Sequence, residues 1–468
     1  NAGLLGSHNG ASDIESAGAV TNSGTLFAKG ALDLKTDGAV ANSGLLVADD
    51  ALVLKGLTAA QTGALTTGAG SELSGSTVSL ASAQVQNGGE ISSRTGDTLL
   101  SVTGDIASSG KILSAKDVIL ATDGALTVTT GEIAATDDLT LKGLTGTHAG
   151  AGSTAGLMNA GKAAQITAQS LTVASAGQVA AFDGDLTLAL PGTLSNAGKL
   201  IGKAAATLRV DGAIDNAGDI LVEDGLTIKS AAGTGSGALT TQSGSQINAG
   251  SITAEVASLQ NTGSITAHDT DIVLKSEGAI NSAGALEGIQ DVTLQTDSAL
   301  TNAGRLLVGR DLTVKAFNGA EAGSVTNQSG ARLEAGRVLD MNASSLSNAG
   351  NLGSHGTGTT PPSLDLDLSA AATNSGTVFA KGDAVLRAAS LSNSGKLLVD
   401  GAFETDAQIA NLSGAELVAK SIKTTSGVLS NAGSIRSHGG DLLLDARSSF
   451  SNTGRIEARG NAALTLGQ

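Results

Sequence analysis

One short motif, an asparagine followed by alanine, serine or threonine and then glycine, recurs along this whole chain of 468 residues. Most neighbouring copies lie about 20 residues apart, a spacing that is typical of solenoid proteins. Degenerate copies at Asn87, Ser108, Ser175, Asn281 and Asn327 fill several of the longer intervals. The complete copies begin at Asn1, Asn22, Asn42, Asn159, Asn196, Asn216, Asn261, Asn302, Asn348, Asn374, Asn393, Asn431 and Asn452.

Within each repeat, apolar residues alternate with polar ones, as they do in strands that bury one face. Leucine or isoleucine stands four residues after the asparagine, as at Leu26 and Ile220. An apolar pair such as Leu32 and Leu34 follows, and another apolar residue precedes the next asparagine. The sequence therefore predicts an all-β fold, a right-handed parallel β-helix (a β-solenoid) of about 22 coils of roughly 20 residues, with three short strands per coil.

Stacking explains why one coil could not fold alone, since only its neighbours can bury its apolar residues. Successive coils at the strand spacing of ~4.8 Å would place equivalent side chains in columns of Leu, of Ile or Val, and of Ala. About 22 coils would then give a rod on the order of 105 Å long.

A longer period of about 87 residues, or four coils, is also visible. We expect one continuous β-helix over 1–468, internal to a longer protein, since the chain begins in mid-repeat at Asn1. Small-residue insertions follow the third coil of a unit, and the fifth unit has lost its copy near 403–411 but carries Gly356–Ser363 earlier. The predicted units are 1–86, 87–174, 175–260, 261–347, 348–430 and a partial 431–468. The insertions lie near 56–63, 143–152, 230–237 and 316–323.

The composition suits a narrow core of constant width. There are 65 Gly, six Phe, two Met and no Trp, Tyr or Cys, yet 40% of the residues are hydrophobic. Disordered chains contain few Val, Ile and Leu, and collagen requires Gly at every third position. Both classes are therefore excluded.

The formal net charge of −16 makes nucleic acid and anionic membrane surfaces unfavourable partners. No apolar run approaches the roughly 20 residues of a transmembrane helix. The absence of Cys excludes a disulfide framework and thiolate metal sites, and suits a chain exported without cross-links.

Acidic residues are candidate catalytic groups in this chain, because some parallel β-helices are enzymes that act on polysaccharides. Asp49-Asp50 and Asp137-Asp138 hold similar places, but about four coils, or ~19 Å, separate them. They cannot act on one substrate bond, and we interpret all the candidates as solvated turn residues. The candidates are Asp49, Asp50, Asp137, Asp138, Asp269, Asp271, Asp365 and Asp367.

Four histidines, His8, His268, His355 and His438, each stand seven residues after a repeat asparagine. Lys or Asp takes this place in other repeats, which indicates a turn. The closest pair would be four coils apart, whereas zinc–nitrogen bonds are about 2 Å long. We therefore predict no metal site, no cofactor and no catalytic residue.

The repeated asparagine could serve either of two roles: a ladder of side chains that binds a ligand, or an internal stack of side-chain amides. We favour the stack, in which each amide bonds to the next and to turn backbone, with Asn and Gly tolerating left-handed conformations. Lys381-Gly-Asp383 matches an integrin-binding tripeptide but lies at an ordinary repeat turn.

The amino-acid sequence of the repeats resembles that of repeats in the filamentous-haemagglutinin family of exoproteins, which includes contact-dependent growth-inhibition effectors. The resemblance rests on the segment Thr21-Asn-Ser-Gly-Thr-Leu-Phe-Ala-Lys-Gly-Ala-Leu-Asp-Leu34. Similar segments lie at 194–201 and 391–398. The resemblance implies a secreted or cell-surface fibre of a Gram-negative bacterium, exported unfolded by two-partner secretion through an outer-membrane transporter. No secretion or toxin domain lies in this segment, so the parent could be an adhesin or a toxin carrier.

Three functions are compatible with this description. The first is a rigid extracellular shaft that holds a tip at a distance. The second is a module that itself binds a receptor or glycan, although the chain has few aromatic residues to bind with. The third, a polysaccharide-degrading enzyme, would need a clustered acidic cleft.

Overall fold

The computed structural model describes residues 1–230 and 237–467. It is a parallel β-solenoid of about 23 turns, and none of the described residues is helical. No helix in the described ranges is therefore long and apolar enough to cross a membrane. The chain divides into two compact units, Asn1–Gly237 and Ala238–Gln468.

The first unit contains strands β1 to β30, most of them three to six residues long, and the short length leaves room for three strands in each coil. In order they are Leu4–Ser7, Ser12–Ser16, Val20–Asn22, Thr25–Ala28, Leu32–Thr36, Val40–Asn42, Leu45–Ala48, Leu52–Lys55, Thr62–Thr67, Glu72–Gly75, Val78–Asn87, Glu90–Ser93, Thr98–Val102, Ile106–Ser108, Lys111–Ser114, Val118–Thr122, Leu126–Val128, Glu132–Ala135, Leu139–Lys142, Ala149–Thr154, Leu157–Ala160, Ala164–Val173, Gln178–Ala181, Leu186–Leu190, Leu194–Asn196, Lys199–Gly202, Ala206–Val210, Ile214–Asn216, Asp219–Val222 and Gly225–Lys229.

The second unit contains strands β31 to β60 and has the same construction. In order they are Leu239–Thr241, Gln246–Ala249, Ser251–Val256, Leu259–Asn261, Ser264–Ala267, Ile272–Ser276, Ile280–Ser282, Ala285–Gly288, Val292–Thr296, Leu300–Asn302, Arg305–Val308, Asp311–Lys315, Ala322–Asn327, Arg332–Ala335, Val338–Asn348, Asn351–Ser354, Leu364–Leu368, Ala371–Asn374, Thr377–Ala380, Ala384–Arg387, Ser390–Asn393, Lys396–Thr405, Gln408–Asn411, Glu416–Thr424, Val428–Asn431, Ser434–Ser437, Leu442–Ala446, Ser449–Asn452, Arg455–Ala458 and Ala462–Leu466.

Equivalent strands of successive coils pair in parallel and in register, so the predicted columns are present. Leu26 pairs with Leu46, and Leu200 pairs with Ile220 at the other end of the same column. All four side chains are at most 3% exposed. The alternation of apolar and polar residues therefore does set which face of each strand points inward, as predicted.

The repeat asparagines form the predicted internal ladder. Asn22 Nδ2 donates to Asn42 Oδ1 at 2.8 Å and to the carbonyl of Leu45 at 3.0 Å. In the second unit, Asn327 Nδ2 donates in the same way to Asn348 Oδ1 at 2.7 Å. Each amide thus replaces water inside the coil, which removes the cost of burying an unpaired polar group.

Three of the predicted anchors are wrong, because a residue other than asparagine holds the ladder position in their coils. Asn159 lies on an outward-facing position, where it accepts a hydrogen bond from Gln178, and Thr154 holds the ladder position. Ser175 is an exposed turn residue two positions after the ladder residue Val173. Asn281 likewise points outward beside Ser282, which pairs with Asn302.

The reason given for glycine in the motif is wrong for the complete copies. Among the described residues no asparagine has a positive φ, and neither do the glycines of the complete copies, whereas Gly330 of the degenerate copy at Asn327 has a φ of 80°. Glycines at the motif position instead lie too close to the preceding coil to carry a side chain. A Cβ on Gly44 would lie 2.0 Å from the carbonyl oxygen of Gly24, and a Cβ on Gly131, the equivalent glycine after Val128, would lie 2.0 Å from that of Gly110. Close backbone approach, and not left-handed backbone, therefore requires glycine here.

The ladder is interrupted where Val128, Thr154 and Val173 take the asparagine position. Val173 has no hydrogen-bond donor for the next coil. Asn196 Oδ1 is the one buried side-chain nitrogen or oxygen of the described residues without a hydrogen-bond partner. Elsewhere a threonine fills this role, since Thr67 donates to Asn87 Oδ1 at 2.5 Å. Thr241 donates to Asn261 Oδ1 at the same distance.

We therefore expect Val173→Thr to stabilise the fold by about 1 kcal/mol, because its hydroxyl can donate to Asn196 Oδ1. Denaturant unfolding measures the change. The matched control is Val179→Thr, which places a hydroxyl in the fully apolar column between Met158 and Leu200 and should destabilise. Equal losses of stability in the two variants would contradict the assignment of the orphaned oxygen.

Candidate functional site

The acidic pairs Asp49-Asp50 and Asp137-Asp138 lie apart, as predicted. The strands that follow them are linked by four successive pairings, from Leu52 to Leu139. Asp49 forms an ion pair with Lys29 at 2.6 Å, and Asp137 forms one with Lys162 at 2.8 Å. These carboxylates link neighbouring coils on the surface and do not meet each other.

The histidines occupy turns and have separate neighbours. His268 Nδ1 lies 2.7 Å from Asn248 Oδ1, and the ring of His8 lies 6.0 Å from that of Phe27. His355 contacts Glu334 Oε2 at 3.1 Å and the edge of Phe379 at 4.9 Å between ring centroids. Within the described ranges, no three His, Asp or Glu side chains are grouped as metal ligands would be.

The Lys381-Gly-Asp383 tripeptide is built into the coil stack. Asp383 Oδ1 accepts the backbone N–H of Ala402 at 2.7 Å, while its own N–H donates to Gly358 O. Gly382 is buried. The carboxylate of Asp383 is therefore already hydrogen-bonded within the coil stack, and the tripeptide does not form an extended recognition loop.

One acidic candidate does gain a close acidic neighbour. Asp365 pairs in register with Asp340 on the preceding coil, and both side chains lie in a cleft of about 510 Å³. The rest of its lining consists of Asp311, Thr313, Arg337, Val338, Gly358, Thr360, Pro361 and Pro362. Asp340 is absent from the predicted acidic candidates, because its partner lies 25 positions away across an enlarged coil and not 20.

The charges of this cleft are largely paired. Arg387 donates to Asp365 Oδ1 at 2.7 Å, and Arg337 donates to Asp311 Oδ1 at 2.7 Å. Asp340 is not paired with an arginine in this way; partial desolvation and the charge of Asp365 raise its pKa, and the charge of Lys315 offsets only part of this shift. The cleft therefore combines one poorly stabilised carboxylate with two ion pairs.

A second concave surface lies over the motif glycines of the first unit. It is a groove of about 570 Å³ whose floor is backbone, because no side chain fits there. Its lining includes Gly89, Gly110, Gly131, Glu90, Lys111, Glu132 and Leu157. The groove is thus a consequence of coil packing, with charged residues along one wall.

Three of the insertions are each held by an aspartate that is absent from the predicted acidic candidates. Asp37 Oδ1 accepts the N–H groups of Leu57, Thr58 and Ala59 at 2.8, 2.9 and 3.0 Å. Asp37 Oδ2 accepts the hydroxyl of Thr58. The side chain thus lies under the loop that follows Lys55.

The same arrangement recurs at the two other described insertions. Asp123 Oδ1 accepts the N–H groups of Leu144 and Thr145, both at 2.9 Å, and that of Gly146 at 3.3 Å. Asp297 Oδ1 accepts those of residues 317, 318 and 319 at 2.9, 3.1 and 2.9 Å. Most of the predicted insertion at 230–237 lies outside the described residues, since residues 231–236 are not described.

These hydrogen bonds favour the ionised carboxylates. The Thr58 hydroxyl and the three loop N–H groups lower the pKa of Asp37 from 3.8 to about 2. The pKa of Asp123 is lowered chiefly by the Thr145 hydroxyl, and that of Asp297 by the N–H of Gly319. The sequence does contain a signal, because an aspartate stands about 20 residues before each of these loops.

Comparison with known families places these features in context. The haemagglutinin-repeat family matches residues 8–70, 153–233, 224–289 and 363–468, which together make up more than half of the chain. No curated protein and no solved structure matches the chain. The matched segments contain Asn22 and Asn42 of the asparagine ladder, the close contact between Gly44 and Gly24, and the loop held by Asp37. The chain belongs to the haemagglutinin-repeat family.

Proposed function

We propose that this chain is a rigid extracellular shaft of a large secreted or surface-exposed bacterial exoprotein. In this role it holds an adhesive or effector domain at a distance from the cell. The observation that carries the proposal is the continuous series of parallel strand pairings within each unit, in which a register shift between Val399 and Ala402 is accommodated without loss of pairing. Haemagglutinin-repeat proteins are secreted or surface-associated, which supports the same role.

Stiffness follows from the number of separate links between neighbouring coils. Backbone hydrogen bonds join each strand to the next coil, and buried amides such as Asn374 and Asn393 join the interior at 2.8 Å. Cross-coil ion pairs such as Lys29–Asp49 add links at the surface. Individually such surface pairs contribute at most about 1 kcal/mol, so the backbone and the ladder supply most of the rigidity.

We further propose that the four-coil unit is the element from which the chain was duplicated. Aspartate-held loops support this period, since they recur on the third coil of a unit. A turn with a left-handed glycine supports it independently, because Gly70, Gly244, Gly330 and Gly414 fall on the fourth coil. The third unit then starts at the ladder residue Val173, not at Ser175.

The proposal includes export through an outer-membrane transporter partner by two-partner secretion. Haemagglutinin repeats are typical of the exoproteins that use this route. Whether the parent is an adhesin or a contact-dependent growth-inhibition effector depends on domains other than these coils. The shaft would serve either one.

We propose no catalytic role. A glycosidase pair needs one free carboxylic acid and one free carboxylate facing a bond. In the cleft of the second unit, Asp365 and Asp311 are instead bound by Arg387 and Arg337. The family is one of structural and adhesive proteins, which agrees with this conclusion.

A second candidate function, a module that itself binds a receptor or glycan, is favoured only by the cleft around Asp340 and Asp365. Deleting one complete four-coil unit in register separates the two functions. A shaft should lose reach, about 19 Å per unit, but keep attachment or delivery wherever the unit is removed. A binding module should lose attachment when the coils with the cleft are removed.

A further inference from the structure

The three aspartate-held loops share a construction that is not needed to form a coil. In each, a carboxylate on one coil lies beneath a loop on the next coil and accepts three consecutive N–H groups. Three converging N–H groups form a nest that suits an anion. The loop would otherwise leave these donors to water, because it belongs to no strand.

The aspartate and the insertion also occur together along the sequence. Asp37, Asp123 and Asp297 each stand on the coil before a loop, and Asp211 holds the corresponding place before the insertion at 230–237. The fifth unit has lost the loop near 403–411, and there the corresponding residue, five before the ladder residue Asn393, is Ala388. Loss of both parts in the same unit indicates that they act as a pair.

The far end of the loop reaches forward along the stack in two of the three cases. Gln61 Nε2 donates to the carbonyl of Ser101, which lies two coils further on. In the second unit, the Ser369 hydroxyl donates to Glu321 Oε1 at 2.7 Å, again across two coils. These loops therefore lie along the surface and connect coils that do not otherwise touch.

We propose that each aspartate and the following insertion form a carboxylate clip, which locks an exposed loop onto the solenoid and secures the surrounding coils against local opening. The clip is independent of the proposed shaft function, since it would operate in any role of the chain. It is also resistant to acid, because the ionised form is the one that the loop binds.

The direction of the pH effect follows from the lowered pKa of Asp37. Its contribution is fully present above the ordinary pKa of 3.8 and is lost as the pH falls through about 2. No charged side chain is among the causes of this shift. The neighbouring Lys35 is paired with Asp13 and Glu15, and the loop from Gly56 to Gln61 is uncharged.

Amide hydrogen exchange of residues 57, 58 and 59 tests the clip. In Asp37→Ala these amides should exchange about tenfold faster or more, since each loses a bond to a charged acceptor. Asp33→Ala, which removes a carboxylate from the outward face of the same coil, should leave them unchanged. Unchanged exchange in Asp37→Ala, or equal acceleration in both variants, would overturn the proposal.

Two further measurements keep the test decisive if Asp37→Ala folds poorly. Asp37→Asn keeps one acceptor oxygen without the charge and should give intermediate exchange, whereas exchange equal to that of the unaltered chain would overturn the role of the charge. In the unaltered chain, protection of amides 57–59 relative to Leu52–Lys55 should persist at pH 4 and fall towards pH 2. Protection lost between pH 7 and pH 4 would contradict the clip.

Discussion

Ile220→Asp is expected to open the solenoid locally and to destabilise it by about 3–5 kcal/mol. Ile220 is 0% exposed and stacks on Leu200 in a column of Leu, Ile, Val and Met side chains. No cation lies in this column, so the new carboxylate would be buried without a partner. Hydrogen exchange and limited proteolysis around residues 200–222 should report the opening.

The control is Asp49→Ala, which removes an acid from a surface turn. Its ion pair with Lys29 is exposed, with 62% of the Lys29 side chain accessible, so the loss should be below about 0.5 kcal/mol. Equal loss of protease resistance in the two variants would show that the inward and outward faces are assigned wrongly.

Gly131→Ala is expected to cost about 1–3 kcal/mol, although it adds only one methyl group. The new Cβ would lie 2.0 Å from the carbonyl oxygen of Gly110, and backbone cannot move aside as a flexible side chain can. The coils on either side must therefore separate. Urea unfolding gives the loss of stability, and exchange of the amides near residues 110 and 131 locates it.

Gly68→Ala is the matched control, because Gly68 directly follows the ladder residue Thr67 and so holds the middle position of the motif. Its nearest neighbour would be Ser43 Cβ at 3.5 Å, an ordinary van der Waals contact. We expect a much smaller effect there. If Gly68→Ala destabilised as strongly as Gly131→Ala, general loss of glycine flexibility, and not the close approach of coils, would explain the motif.

Much of the fold could be predicted because a solenoid repeats its constraints. The alternation around Leu26 and the recurrence of asparagine identify strands, period and buried amides without any distant comparison. Prediction failed where the ladder residue is not asparagine. At Thr154 and Val173 no asparagine marks the coil, so the motif predicts anchors at Asn159 and Ser175 in their place.

The surface features were harder to predict, because their partners lie on other coils. Asp37 binds backbone N–H groups of residues 57–59, and backbone donors leave no mark in the sequence. Asp340 and Asp365 are neighbours through the register of their strands, but the insertion near 356–363 lengthens the coil between them, so their spacing of 25 residues does not reveal the contact. Contacts of this kind follow from the register of the stack, which must be known first.

In-register deletion is the most direct measurement of whether these coils act only as a shaft. Removing residues 87–172 joins Gln86 to the ladder residue Val173, and removing 261–347 joins Gln260 to Asn348, so both deletions preserve the columns. The second deletion also removes Asp311, Arg337 and Asp340 from the cleft. Parallel strand content and amide protection establish that each variant is folded.

A deletion of residues 77–86, which breaks a coil in the middle, is the control for lost register and should unfold the neighbouring coils. If the coils are a shaft, bacteria displaying either in-register variant should attach or deliver as well as bacteria displaying the unaltered chain. Loss of attachment by the folded variant that lacks residues 261–347, with attachment retained by the variant that lacks 87–172, would contradict the shaft and assign binding to the cleft.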